Sequence, residues 1–132
     1  MDTSPGTDTR CQDIIDSVVA ARLGVAPWPA VSAVLETLGE VLPYGTAAYL
    51  AASLPDQIGV EVGRHFPTDS PVCPVERTEF EAAVARRCGC TVDEAGAVIR
   101  AVARAVAATV PFGVMVNVEH VTPQPLLDLI AV

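Results

Sequence analysis

The sequence contains no lysine, so all eight of its basic residues are arginine. Sixteen acidic residues outnumber them and give a formal net charge of −8. Because an acidic protein repels phosphate backbones, this composition argues against a general nucleic-acid-binding protein. A P-loop requires a lysine and is therefore excluded, and no glycine-rich motif of the Gly-x-Gly-x-x-Gly type occurs either.

Long hydrophobic runs are also missing, although apolar residues make up 51% of the chain. No run approaches the ~18 apolar residues of a transmembrane helix. Residues 1–8 are polar and acidic, unlike the basic and then apolar start of a signal peptide. We therefore expect a disordered tail over 1–8, a single domain over 9–132, no membrane association and a cytoplasmic protein.

One stretch of the sequence occurs twice. In each copy, an amphipathic helical pattern ends in proline, an aromatic residue and glycine, as Pro43-Tyr44-Gly45 and as Pro111-Phe112-Gly113. A further proline follows each copy, Pro55 and Pro123. Positions 43 and 111, 45 and 113, and 55 and 123 are all 68 residues apart. This spacing indicates an internal repeat.

The repeat predicts an all-α, compact helical bundle of two similar three-helix halves. The halves cover 9–62 and 77–132 and are joined by a linker over 63–76, which is rich in proline and polar residues. Apolar residues at helical spacing predict helices over 7–22, 28–42, 47–54, 56–62, 78–87 and 93–110, with a last short helix after residue 125. The helices over 28–42 and 93–110 carry the longest apolar stripes, so we expect them side by side at the centre.

The inward-facing positions follow from the same spacing. In the first half they are Ile14, Ile15, Val18, Val19, Leu23, Val31, Val34, Leu35, Leu38, Leu42, Tyr49, Leu50, Leu54, Ile58 and Val62. In the second half they are Phe80, Val84, Cys88, Ala95, Val98, Ile99, Val102, Val106, Val110, Leu126, Leu127 and Ile130. Thr91 or Asp93 is expected to cap the helix over 93–110.

Residues 114–118 are ambiguous between helix and strand. Their β-branched composition favours a strand by local propensity. Their counterpart in the first half, 46–50, is alanine-rich and favours a helix. Because propensity is a weak guide and a duplicated unit should fold alike, we predict a helix.

Several motifs in this pattern resemble the DUF2267 family of bacterial proteins. One is a helix that ends in Leu38-Gly39-Glu40-Val41-Leu42-Pro43, followed by an alanine-rich helix that ends in Ser53-Leu54-Pro55. Another is Phe80 to Val84, followed by Val92-Asp93-Glu94-Ala95 and by a long helix with Arg100-Ala101-Val102. The resemblance implies an all-helical protein with two similar halves. It implies no functional residues, because the family is one of unknown function.

The resemblance covers most of the chain from about Val18 onward. The chain departs from the family pattern near its end, where Thr122-Pro123 replaces the usual second Leu-Pro and Pro125 is an addition.

The four cysteines are candidates for a metal site. Cys88 and Cys90 form a Cys-Gly-Cys pair, whereas Cys11 and Cys73 are distant from it. A zinc site normally uses two pairs of ligands spaced two to four residues apart, so this pair with Cys73 and His65 is a poor match. The repeat places aliphatic residues of the first half at the positions of Cys88 and Cys90, which favours packing. A metal or small-ligand site using Cys73, Cys88, Cys90 and His65 is the alternative.

Arg100 and Arg104 lie four residues apart on the predicted outer face of their helix, and Arg86-Arg87 adds to a second half rich in arginine. The favoured interpretation is that these arginines form ion pairs with acidic residues at helix starts, each worth well under ~1 kcal/mol when exposed. The alternative is a patch that binds an anion or an acidic partner.

The aromatic residues Trp28, Tyr44 and Phe112 all lie at predicted turns. Aromatic residues at turns usually plug the ends of a helical core, and this is the expectation here. If they are exposed instead, they mark a protein-binding patch, since large exposed apolar surface rarely persists without use.

No pattern identifies a catalytic site, because neither histidine has a serine, cysteine or carboxylate at the spacing of a known triad. We therefore expect a non-catalytic protein-interaction or scaffolding module, without cofactor, that binds an unknown protein partner or a second copy of itself. A metal or small-ligand protein is the second hypothesis. An enzyme whose site assembles only in the fold is the third.

Overall fold

The computed structural model describes residues 9–63, 76–122 and 124–130. These residues form only α-helices and turns, which confirms the all-α prediction. The predicted tail over 1–8 and nearly all of the predicted linker lie outside the described residues. The helices are α1 (Thr9–Ala20), α2 (Pro27–Val41), α3 (Tyr44–Ser53), α4 (Asp56–Val62), α5 (Arg77–Cys88), α6 (Val92–Thr109), α7 (Phe112–Val121) and α8 (Gln124–Ile130).

Proline and capping residues set most of the helix limits. Pro27 occupies the first position of α2, where its missing N–H leaves no bond unmade. Thr91 caps α6 as predicted: its hydroxyl accepts from the Glu94 N–H, and the Glu94 carboxylate accepts from the Thr91 N–H at 2.9 Å. These hydrogen bonds lower the pKa of the Glu94 carboxyl. Gly89 ends α5 with φ of 76°, a conformation that glycine adopts without strain.

Residues 114–118 are helical and belong to α7, as the comparison with 46–50 predicts. Val114, Met115 and Val118 of this helix are buried. Burial of this face at helical spacing outweighs the preference of β-branched residues for strands, because most helix stability in proteins comes from packing.

The helices pair across the chain. α1 packs mainly on α6, and α2 packs mainly on α5 and α4. The two long helices α2 and α6 do contact each other, but their most extensive contacts are with α5 and α1 respectively. α3 packs on α4 and α7, while α8 covers α6 and part of α5. The prediction of two similar three-helix halves stays a prediction.

The core follows the predicted apolar stripes closely. All predicted inward positions of α2 and α6 are buried, as are Phe80 and Val84 of α5. Two predictions are wrong: Val19 is 56% exposed and Tyr49 is 52% exposed. Each is adjacent in sequence to a buried residue, Val18 or Leu50, and is therefore rotated by ~100° away from it around the helix axis.

Two glycines permit close contact between helix backbones. A Cβ built on Gly39 of α2 would overlap the carbonyl oxygen of Val62 at the end of α4. A Cβ on Gly59 of α4 would overlap the carbonyl oxygen of Ala51 in α3. The tight packing of α4 on α2 and α3 therefore depends on the absence of these two side chains.

No helix among the described residues combines the length and the apolar content needed to cross a membrane.

Candidate functional site

A groove of about 610 Å³ lies between α1 and α6. Most of its lining consists of small side chains, which end at Cβ and so leave space between the two helices. The lining residues are Ser17, Ala20, Ala21, Leu23, Ala97, Arg100, Ala101, Arg104 and Ala105. The groove therefore has an alanine-rich floor and two cationic side chains from α6.

Among the described residues of this lining, Arg100 and Arg104 are the only charged ones. Both are exposed, and in the described part of the chain neither makes a hydrogen bond or an ion pair. Like charges four residues apart on a helix repel each other slightly. The expected ion pairs with acids at helix starts are thus absent for these two residues, whereas the anion-binding alternative remains open.

The carboxylate of Glu81 comes near one of these arginines. A Cβ built on Gly96 would lie 3.4 Å from Glu81 Oε2 and 3.9 Å from Arg100 Nη1. Glu81 instead pairs with Arg77, whose Nε lies 3.4 Å from the same Glu81 Oε2. Arg100 is therefore available to an external anion.

A different arginine, Arg87 of α5, is fully engaged. Its Nη1 lies 2.7 Å from Glu40 Oε1 and donates to Thr37 Oγ1 at 2.8 Å, and its Nε lies 3.8 Å from Glu36 Oε2. All three partners belong to α2. Glu36 and Glu40 therefore join α2 to α5 through ion pairs whose side chains are only 15–20% exposed.

The two neighbouring cysteines lie together at the end of α5. The left-handed Gly89 turns the chain so that Cys88 Sγ and Cys90 Sγ are 3.2 Å apart. Both side chains are partly buried and pack on the core, as the repeat predicts. Burial, followed by the contact with Cys88, raises the pKa of the Cys90 thiol to about 11. Cys90 is therefore protonated near neutral pH, and a protonated thiol is a poor metal ligand and nucleophile.

The other two members of the predicted metal site, Cys73 and His65, lie outside the described residues. Among the described ones, no group of three or more histidine, cysteine or acidic residues is placed to hold a metal ion. The four-residue site thus stays a prediction.

The turn aromatics are exposed, so the expectation that they plug the core is wrong. Trp28 is 43% exposed, Tyr44 66% and Phe112 83%. Tyr44 and Phe112 are the first residues of α3 and α7. Because helical side chains tilt toward the helix N-terminus, an aromatic residue there points beyond the end of its own helix. Exposure of this kind favours the protein-binding alternative.

Residues 18–129 match the model of the DUF2267 family, which is described as an uncharacterized conserved protein. The chain belongs to the DUF2267 family. The match includes every lining residue of the groove except Ser17, so the groove is part of the DUF2267 domain. No curated protein is significantly similar to this DUF2267 chain.

The sequence pointed to Arg100 and Arg104 but not to the groove beside them. The signal that was available is the spacing of Ala97, Ala101 and Ala105, each four residues from the next. Small residues at this spacing leave one helix face without side chains that fill space. The α1 side of the groove has no such signal, because only packing brings it opposite α6.

Proposed function

We propose that this DUF2267 protein is a non-catalytic protein-interaction module of the cytoplasm and that the α1–α6 groove is its contact surface. The observation that carries the proposal is the pair of exposed guanidiniums of Arg100 and Arg104 above an alanine floor. The protein has a net charge of −8, yet among the described residues these two cations have no acidic partner. The groove is therefore a local positive site on a negatively charged protein. Arginine is also enriched among the residues that dominate binding at protein interfaces.

The exposed aromatics support the same function. Tyr44 and Phe112 begin α3 and α7, which contact each other. Aromatic residues are enriched in the energetically important parts of interfaces. Each offers a further apolar contact to a partner that is larger than the groove.

We further propose that the two halves are copies of one unit. α1, α2 and α3 end at residues 20, 41 and 53, and α5, α6 and α7 end 68 residues later, at 88, 109 and 121. The packing is reciprocal as well, since the first helix of each half packs on the second helix of the other.

The function is tested by comparing partner capture from the source cell by wild type and by Arg100→Glu/Arg104→Glu. The groove variant should lose its partner by about tenfold or more, because two attractive charges become repulsive. The matched control is Arg10→Glu/Arg86→Glu, which makes the same charge change at exposed arginines outside the groove and should keep the partner. Identical partners for all three proteins would contradict the proposed surface.

The second candidate function is binding of a metal or small ligand by Cys73, Cys88, Cys90 and His65, and the 3.2 Å separation of the Cys88 and Cys90 sulfurs favours it. Under our main proposal, native mass spectrometry of protein purified without chelator should give the bare subunit mass or a multiple of it. Stoichiometric zinc that is lost in Cys88→Ser/Cys90→Ser would make this second function the leading one.

A further inference from the structure

Two helix interfaces of the bundle correspond to each other by position. α1 packs on α6, and α5 packs on α2. α1 and α5 end at residues 20 and 88, and α2 and α6 end at residues 41 and 109, so both offsets are 68. Residues of the α1–α6 interface can therefore be compared with those 68 positions away at the α2–α5 interface.

The α2–α5 interface is filled by its own charges. Arg87 extends from α5 to Glu40 and Glu36 of α2, and the hydroxyl of Thr37 accepts a further hydrogen bond from it. The guanidinium and the two carboxylates have side-chain exposures of only 15–20%. The first helix contributes the cation and the second contributes the anions.

At the α1–α6 interface, α6 carries a cation where α2 carries a carboxylate, and α1 carries no charged residue at the position of Arg87. Arg104 stands at the position of Glu36, and Ala105 stands at the position of Thr37. The counterpart of Arg87 is Val19, which is 56% exposed. No charged residue of α1 therefore occupies the position from which Arg87 fills the other interface. Arg104 and Ala105, the counterparts of two partners of Arg87, line the groove.

Arg100, one helical turn before Arg104, also differs from its counterpart on α2. Its counterpart on α2 is Ser32, which donates a hydrogen bond to Glu61 of α4 at 2.7 Å. Both cations of the groove thus replace residues that are satisfied within the fold, whereas Arg100 and Arg104 make no such contact in the described residues. Arg87 pairs with two carboxylates, whereas among the described residues no carboxylate pairs with Arg100 or Arg104.

We propose that the α1–α6 groove binds an acidic segment of a partner protein, which presents two carboxylates to Arg100 and Arg104. This inference rests on the proposed function and specifies the chemistry of the partner. Arginines four residues apart on a helix are separated by ~6 Å along its axis, which is also the separation of two glutamates at i and i+4 of a partner helix. Guanidinium binds carboxylate through two parallel hydrogen bonds, so the match is geometric as well as electrostatic.

The size and charge of the site favour a protein segment. A groove of about 610 Å³ is large enough for several side chains but too small for a whole helix to be buried. Its alanine floor makes apolar contact with the stems of glutamate side chains. A nucleic acid would bring a continuous row of phosphates to a protein of net charge −8, and the surrounding charge would repel it.

The test uses the full chain and a labelled alanine-based helical peptide with glutamates at i and i+4, titrated by fluorescence anisotropy. A peptide with glutamine at the same positions should bind about tenfold more weakly or worse, because it offers no charge-assisted hydrogen bond. Binding of the glutamate peptide should also weaken by about tenfold between roughly 20 mM and 500 mM salt, since exposed pairs are screened.

The protein variants identify the site. Arg100→Gln/Arg104→Gln should lose about tenfold in affinity or more, and Arg100→Lys/Arg104→Lys should keep part of it, because lysine retains the charge without the bidentate fork. Arg10→Gln/Arg86→Gln is the matched control and should bind like wild type. Arg86, Arg100 and Arg104 are exposed and make no hydrogen bond or ion pair among the described residues, whereas Arg10 donates to the Ser53 carbonyl at 3.3 Å. The melting temperature of every variant therefore separates loss of folding from loss of binding.

Four results would overturn the inference. One is equal binding of the glutamate and glutamine peptides, and another is equal binding by wild type and the glutamine variant. The third is displacement of the peptide by inorganic phosphate at about equal anion concentration, which would identify a small anion as the ligand. The fourth is a dimer in sedimentation that Arg100→Gln/Arg104→Gln dissociates, which would identify a second copy as the occupant.

Different results would contradict the acidic segment and the proposed function. A partner from the source cell that depends on Arg100 and Arg104, combined with no binding of the glutamate peptide, would contradict only the acidic segment. Loss of both would contradict the interaction surface itself.

Discussion

Gly39→Ala should destabilise this protein by about 3 kcal/mol, although alanine is normally the better helix residue by up to ~1 kcal/mol. The added Cβ would overlap the carbonyl oxygen of Val62, which is backbone and cannot rotate away. α2 and α4 would have to separate, and two buried side chains, Leu38 next to Gly39 and Val62 of α4, would lose contacts. Denaturant unfolding measures the change as a lower midpoint at constant slope.

The control for this prediction is Gly45→Ala in α3. A Cβ on Gly45 would meet nothing within 4 Å, so the substitution should be neutral or stabilising by up to ~1 kcal/mol. Gly59→Ala should behave like Gly39→Ala, because its Cβ would overlap the Ala51 carbonyl oxygen. Equal stability of the Gly39 and Gly45 variants would mean that α4 does not lie as close to α2 as the structure has it.

Phe80→Ala should cost about 3–5 kcal/mol in the free energy of unfolding. Phe80 is fully buried on α5, within the core cluster to which α2, α6 and α8 also contribute. Removing its ring leaves a cavity that helices held by several neighbours cannot close. Thermal unfolding followed by circular dichroism should show a melting temperature lower by well over ~10 °C.

Phe112→Ala is the matched control, since it removes the same ring from a position that is 83% exposed. Its expected effect on stability is within about 0.5 kcal/mol, as for most surface substitutions. If Phe112 contributes to the interaction surface, the variant keeps the melting temperature of wild type and loses partner affinity. A large loss of stability for Phe112→Ala would contradict its placement at the surface.

The sequence predicted the elements of the fold well because their signals are local. The apolar stripe of α6 needs only the spacing of residues such as Val98, Val102 and Val106. The cap at Thr91 needs only Thr91 and Glu94, three residues apart. For residues 114–118 the local propensity favoured a strand, and the comparison with their repeat counterpart 46–50 predicted the helix correctly.

The features that the sequence did not predict depend on contacts between helices that are far apart in the sequence. The apolar spacing of α1 includes Val19, but how far around a helix burial reaches depends on its neighbours, and the packing of α1 on α6 leaves Val19 56% exposed. The sequence likewise does not show what contacts Glu36 and Glu40 of α2. Arg87, some fifty residues away in sequence, reaches them only because α5 packs on α2.

For the candidate site too, the sequence shows some features and only the packing shows the others. Arg100 and Arg104 stand out in the sequence as cations four residues apart on one helix face. Whether they are neutralised depends on what faces them, and only the packing of α1 on α6 shows that no carboxylate of α1 does so.

What the sequence determined by itself is the helical fold class, the helix limits marked by proline, glycine and caps, and the residues of the main stripes. Each of these depends on the conformational preferences and periodicity of neighbours in the chain. Tertiary structure alone decided why Gly39 must be glycine, which carboxylates hold Arg87, and where a groove stays open. These features depend on which helix faces which, and that is set by the packing of surfaces that are far apart in the sequence.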